Sequence, residues 1–219
     1  GSGFIAHCFE EANCVVHPFD LFPENNKYAV ALCQPIDLQR TLPIASASAD
    51  IVVLAETIEH IPDQLSLFAE IARILKPGGH LILTTPNSSS LRSRFSQFMI
   101  ESEHYAVAPP NETTAFVEWD GHRQRYLGKL FVSGLLRLRA LAAMHGLKIK
   151  TIHSSPWSST SFFLLLTFPL IYFFAARTRR QLVRARPADR PVYEEIFRIS
   201  TSLNILLGKH LFVEFVREQ

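Results

Sequence analysis

The chain has 219 residues, 47% hydrophobic and 19% charged, enough for one domain with a sizeable core and room for an insertion. A net charge of +2 gives no global field for nucleic acid, and no basic stripe with interleaved aromatics supports that partner either. Cys8, Cys14 and Cys33 form no C-x-x-C pair and sit in apolar stretches, which predicts reduced, buried thiols in an intracellular protein.

Taken in order, Gly1-Ser2-Gly3 precedes a helix-like stretch from Phe4 to Ala12 and a strand from Cys14 to Phe19 that ends at Asp20. A turn-rich connection, Leu21 to Lys27, leads to a strand from Tyr28 to Cys33 and then to Pro35-Ile36-Asp37-Leu38. Asp50 to Ala55 is β-branched and apolar, the pattern of a strand buried on both faces. After the polar turn Glu56-Thr57-Ile58-Glu59-His60, Pro62-Asp63 opens a helix whose apolar face is Leu65, Leu67, Phe68, Ile71, Ala72 and Leu75. Lys76-Pro77-Gly78-Gly79 stops it, and His80 to Thr85 is a second buried strand. Strand, crossover helix and parallel strand make the unit of a doubly wound α/β sheet. A short helix follows near Leu91 to Met99, then an amphipathic helix from Lys129 to His145 ended by Gly146, and a half-exposed strand from Leu147 to Ile152.

A strand ending in E-x-x-E-H (56–60), a helix ending in R-x-L-K-P-G-G (73–79) and a strand ending in T-P-N (85–87) together resemble the class I S-adenosylmethionine (SAM) methyltransferases. Within them the run is closest to the ubiquinone-biosynthesis O-methyltransferase branch. The resemblance implies a Rossmann-like sheet with an antiparallel last strand. It also implies that Gly1 and Gly3 are the last two glycines of the cofactor loop, with Asp20, 17 positions after Gly3, on the ribose hydroxyls. A linker remnant before an ordinary helix is the alternative for Gly1-Ser2-Gly3. On the loop reading the first strand lies before Gly1, and the cofactor site in this chain is incomplete. Asp37 and Leu38 match the residues that meet the adenine, although Asp37 also suits a turn cap, and the backbone near Ala55 would hold the methionine part.

Glu56, Glu59 and His60 lie where open α/β sheets bind ligands, at the carboxyl end of a strand. Two carboxylates and an imidazole suit Mg²⁺ or Mn²⁺, and the resemblance implies His122 as a fourth ligand. Such a metal would lower the pKa of an acceptor hydroxyl. Without one, Glu59 and His60 remain the catalytic candidates, with His60 as general base; the alternative is that the pair only caps and orients the next helix. Asn87, His104 and Tyr105 are placed to face acceptor or simply to line a surface loop.

The antiparallel last strand is best matched by Lys209 to Arg217, so the domain comprises residues 1–153 and 209–219, with 154–208 inserted before it. Phe162 to Ala176 is fifteen residues without a charge, and six arginines lie from Arg177 to Arg190. That segment reads as a peripheral membrane contact over residues 162–190, or as a helix pair packed on the domain or a second subunit. The resulting expectation is a cytoplasmic SAM-dependent O-methyltransferase, peripheral at the inner face of the membrane, acting on a small-molecule or lipid-linked acceptor. The alternatives are a non-catalytic membrane-associated module that keeps the fold and, more remotely, a nicotinamide-dependent oxidoreductase.

Overall fold

The computed structural model describes residues 1–102, 109–119 and 124–218. It divides into two units, Gly1–Ile44 with Glu118–Arg125 and Ala45–Val117 with Tyr126–Gln219.

In the first unit, helix α1 (Phe4–Glu11) starts from Gly3 at φ +84°, and strands β1 (Phe19–Asp20) and β2 (Gln34–Pro35) pair in parallel. Both strands are shorter and later than the expected Cys14–Phe19 and Tyr28–Cys33. Val15, Val30 and Leu32 are exposed, so no burial drives those stretches into a ladder. The Val30 and Ala31 amides donate instead to the Glu10 carboxylate at 2.9 and 2.7 Å, and those backbone bonds hold its pKa below the usual value. Cys8 and Cys14 are exposed and Cys33 half-buried, against the expected burial; α1 has no buried residue that would carry a thiol inward.

The second unit holds the core. Strand β3 (Ala49–Ala55) runs parallel to β4 (Leu75–Pro86) through helix α2 (Gln64–Ile74), capped by Asp63 accepting from the Ser66 amide. The expected unit is present, with one change. Leu75 already pairs with Ala49, the next partners are Ile51 and His80, and Lys76-Pro77-Gly78-Gly79 bulges out between them. Gly78 takes φ +77° there, while Lys76 reaches Asp50 at 2.7 Å.

Strand β7 (Leu147–Ile152) follows helix α4 (Leu135–Ala143), and β8 (His210–Arg217) inserts antiparallel between β4 and β7, giving the order β3-β4-β8-β7. This is the expected mixed sheet with an antiparallel last strand. Leu67, Phe68 and Ile71 of α2 are buried, with Phe68 edge-on to Phe215 of β8 at 6.2 Å, whereas Leu65 points to solvent. Along β8 only Leu211, Val213 and Phe215 are buried, and Ile51 on β3 is exposed. One sheet face is therefore dry, not two. The other carries Glu214, which takes contacts from His80 at 2.8 Å and Lys150 at 3.2 Å.

Helix α3 (Leu91–Ile100) comes next, and strands β5 (Phe116–Trp119) and β6 (Gln124–Leu127) form a small ladder of their own. Helix α4 begins six residues later than the expected Lys129. The backbone around Phe131 is bonded to Glu59 and Gln64 instead. The segment before β8 is helical throughout: α5 (Ser159–Phe163), a 3-10 turn (Leu164–Thr167), α6 (Phe168–Ala185), α7 (Arg190–Ser200) and α8 (Leu203–Leu207). Pro169 falls in the first turn of α6, where its missing N–H costs nothing.

Candidate functional site

A polar cluster of the second unit forms at the carboxyl end of β3. Glu56 leaves the strand at φ +46°, a left-handed conformation costly for a residue with a Cβ, while its amide still bonds Thr84 O at 2.9 Å. The chain then tightens into a 3-10 turn, Ile58–His60, in which Ile58 and Glu59 are fully buried. Polar residues in such a turn need partners, and the sequence supplies them from far away.

Glu59 Oε2 accepts the Thr85 hydroxyl at 2.9 Å, and Oε1 lies 3.2 Å from the Lys129 ammonium. The same ammonium is 3.4 Å from Glu56 Oε2, and Glu56 Oε1 is 3.5 Å from His210 Nδ1. Burial works against the charge on Lys129, but the Glu59 and Glu56 carboxylates outweigh it and hold its pKa above the ordinary lysine value.

A buried carboxylate needs a cation, and here that cation is a lysine. Lys129 stands among the described members of the expected metal set. The space between the Glu56 and Glu59 carboxylates is taken by Lys129 Nζ, and His60 turns its Nδ1 to the Leu127 carbonyl at 2.7 Å. Among the described residues no group of three His, Cys, Asp or Glu side chains is placed to hold a metal ion, and His122 lies outside them. Among the described residues, Glu56, Glu59 and His60 are committed to Lys129, His210, Thr85 and Leu127 and do not fit Mg²⁺ or Mn²⁺.

The turn is stitched to residues 127–133. The Phe131 amide donates to Glu59 O at 3.0 Å, and buried Gln64 spans the gap. Its Nε2 donates to Ile58 O at 3.0 Å and Phe131 O at 2.6 Å, while its Oε1 accepts the Ser133 hydroxyl at 2.8 Å. These bonds keep 129–134 extended and hold the His60 ring. A carbonyl only accepts, so His60 Nδ1 carries the hydrogen, and Nε2 is the ring atom left to take a proton. The Tyr126 ring stands edge-on to it at 5.4 Å.

Asn87 has a different task from the one expected. It is buried, its Nδ2 donates to Ile205 O at 2.7 Å and Gly208 O at 2.9 Å, and its Oδ1 accepts the Ser89 amide at 3.0 Å. It ties the end of β4 to the end of the helical segment and does not face an acceptor. His104 and Tyr105 lie outside the described residues.

In the first unit, Asp20 and Asp37 sit at the carboxyl ends of adjacent parallel strands, joined by the Ile36 amide donating to Asp20 O at 2.9 Å. Asp20 Oδ1 accepts the Phe22 amide at 2.8 Å, and its Oδ2 meets the Gly1 amino group. Asp37 accepts the Gln39 amide at 3.0 Å and pairs with Arg40 at 3.2 Å, so it does cap its turn. Leu38 beside it is half-buried. A Cβ on Gly3 would fall 1.8 Å from Asn26 Oδ1, whereas Gly1 meets nothing within 4 Å. Ala55 closes β3 in the second unit. Sequence reasoning missed Lys129 and His210. The Lys129–Glu56 contact spans 73 positions, and neither residue belongs to a local pattern.

Residues 1–83 match the family model described as "Methyltransferase domain". The chain is 33% identical over 96 residues to a malonyl-[acyl-carrier protein] O-methyltransferase of Hahella chejuensis, covering 39% of this chain and 33% of that one. It is 29% identical over 122 residues to a ubiquinone biosynthesis O-methyltransferase of Xanthomonas campestris, covering 52% of this chain and 50% of the relative. The chain thus spans half or less of the length of these relatives. A SAM-dependent methyltransferase structure from Mesorhizobium loti superposes with a TM-score of 0.53 at 14% identity, covering 99% of this chain and 87% of that one.

Proposed function

We propose that this chain, whose fold is that of the class I SAM-dependent methyltransferases, transfers a methyl group from SAM to a hydroxyl or carboxyl oxygen of a small-molecule or lipid-linked acceptor. The observation that carries the reading is the His60 ring, fixed through Nδ1 with Nε2 as its basic atom. The O-methyltransferases of Hahella chejuensis and Xanthomonas campestris support oxygen as the target.

The residues of the first unit fit the cofactor. Asp20 and Asp37 supply carboxylate acceptors suited to a ribose diol and an adenine amine, Leu38 an apolar contact for the ring, and Gly1 and Gly3 a turn without side chains. When bound, SAM supplies a methyl group already activated on a sulfonium. What remains for the protein is alignment and, for a hydroxyl acceptor, removal of its proton. His60 Nε2 takes that proton as the oxygen attacks, and the Leu127 carbonyl at Nδ1 stabilises the resulting imidazolium. Glu59 acts as an anchor. Its buried carboxylate, neutralised by Lys129, holds the turn that presents His60. Residues 154–208 act as an insertion beside this domain, and the acceptor is taken at the cytoplasmic face of a membrane.

Calorimetric titration with SAM, paired with single-turnover transfer of labelled methyl to phenolic and carboxylic acceptors, tests the reading. Asp20→Ala is expected to lose SAM binding. His60→Gln is expected to keep it while transfer to phenolic acceptors falls by roughly 10²–10⁴, with partial rescue by added imidazole, and transfer to carboxylates changes little. SAM binding with unchanged transfer in His60→Gln removes the base assignment, and SAM binding unchanged in Asp20→Ala removes the cofactor site.

A further inference from the structure

The helical stretch Ser159–Ala185 has 27 residues and enough apolar character to cross a membrane, yet little of it is buried. Its two faces differ. Leu164, Leu165, Phe168 and Ile171 pack on Leu91, Leu206 and Leu207. On the other face Phe163 is 75% exposed, Leu166 90%, Leu170 60%, Phe173 60% and Phe174 56%. Their spacing of 3, 4, 3 and 1 positions is that of one helix stripe.

The same stripe continues as Arg177, Arg180 and Arg184, all exposed, none with an acidic partner among the described residues. Glu194 is committed to Arg179 at 2.8 Å and Arg190 at 3.7 Å. Between α6 and α7 a shallow cleft of about 250 Å³ is lined by Arg179, Arg180, Arg184, Arg190, Val183 and that one acid, Glu194. Helix α3, which packs against α5, adds exposed Phe98 and Met99. It also brings Arg92, whose Nε is buried without a partner among the described residues. Burial lowers the pKa of both Arg92 and Arg94.

A single stripe that is apolar at one end and cationic at the other matches a layered partner. We propose that α3 and Ser159–Ala185 dock the protein on an anionic phospholipid bilayer. Phe163, Leu166, Leu170, Phe173 and Phe174 enter the acyl region, and Arg177, Arg180 and Arg184 stop at the lipid phosphates. A full crossing is excluded by two features. The uncharged run Phe162 to Ala176 is about 22 Å long at 1.5 Å per residue, short of the roughly 30 Å hydrocarbon core. Its inner face is also committed to Leu91, Leu206 and Leu207. A second copy of the chain is a poor occupant, because a two-fold axis sets these arginines against arginines or against Phe and Leu. The inference stands independently of methyl transfer.

Co-sedimentation of the whole chain with phosphatidylcholine vesicles, with and without phosphatidylglycerol, tests it. The chain is expected to bind the anionic vesicles and to release as salt rises. Arg177→Gln, Arg180→Gln and Arg184→Gln together should weaken anionic binding on the order of a hundredfold. Leu166→Gln with Phe173→Gln should weaken it at least about tenfold. All five positions are exposed, so unchanged circular dichroism is expected and checks folding. With acyl-brominated lipids, a Leu166→Trp variant should be quenched by deep bromines and an Arg180→Trp variant only by shallow ones. Failure to bind anionic vesicles, or indifference to the arginine changes, overturns the proposal. So does equal depth at the two positions. Concentration-dependent dimers abolished by Leu166→Gln, in a chain that ignores vesicles, would assign the face to a second copy instead.

Discussion

Asn87 offers a sharp separation between a structural and an acceptor-facing role. Replacing it with Ala removes both hydrogens of Nδ2 from the Ile205 and Gly208 carbonyls, now 2.7 and 2.9 Å away in a buried setting. Each neutral hydrogen bond contributes about 1 kcal/mol net, and a buried carbonyl left without a donor costs about 1–3 kcal/mol. The Gly208 end has little freedom to relax, since even a Cβ there would come within 2.6 Å of Asn204 O and Ser155 Oγ. The sum is a loss of roughly 2–4 kcal/mol, or about 4–16 °C in Tm for a chain of this size. Urea titrations of the wild type and Asn87→Ala give this number directly, provided the slope m is unchanged. Hydrogen exchange adds the location: amides of 205–210 should gain exchange well before those of β7. Asn87→Asp should be at least as harmful, because a carboxylate presents no donor to either carbonyl. A loss below about 1 kcal/mol, with SAM or acceptor handling impaired instead, would refute the structural role.

Lys129 and Gly3 give two further tests. The folded pKa of Lys129 lies above its ordinary 10.5, so its contribution is complete below that value and is lost as pH rises through the folded pKa. Lys129→Gln should therefore flatten the alkaline limb of stability while costing about 1–2 kcal/mol at neutral pH, less than a fully buried pair because the ammonium is partly solvated. A stability profile above pH 10 identical in both proteins would refute that pairing. Gly3→Ala combines a left-handed φ of +84° with a Cβ 1.8 Å from Asn26 Oδ1, the atom that accepts the Ala29 amide at 3.2 Å. Proteolysis within residues 4–26 should become faster, with a cost of about 2–3 kcal/mol, whereas Gly1→Ala, with open space around it, should change nothing.

The β3–α2–β4 unit was legible because its signals are local. Leu67, Phe68 and Ile71 repeat with helical period, Asp63 caps, and Lys76-Pro77-Gly78-Gly79 marks the passage from helix to strand, although it lies as a bulge inside β4. The antiparallel β8 was legible through the resemblance and its own alternating pattern. What stayed hidden depends on distant partners. Leu127 bonds His60 across 67 positions, and Asn87 reaches Gly208 across 121. Lys129 looked like the first residue of an apolar helix, yet the bonds from Gln64 and Glu59 hold 129–134 extended until Gly134. The cysteines misled for a related reason. Apolar neighbours such as Val15, Val30 and Leu32 suggested a core, but in the first unit those side chains face solvent.

Strand β8 is made last of the sheet and yet lies between β4 and β7. Until residues 210–217 exist, β4 and β7 have no common neighbour, and the edge of β4 with its buried pattern stands open to wrong partners. Residues 159–185 are synthesised during that interval. Their lipid-like face is ready before the domain has a centre, and only part of their inner packing surface, Leu91, has been made before them. Synthesis itself thus sets an order of encounters. The apolar stripe meets water, a chaperone or a bilayer first, and the sheet closes behind it. A chain that finishes folding while resting on a membrane would arrive with its attachment already formed.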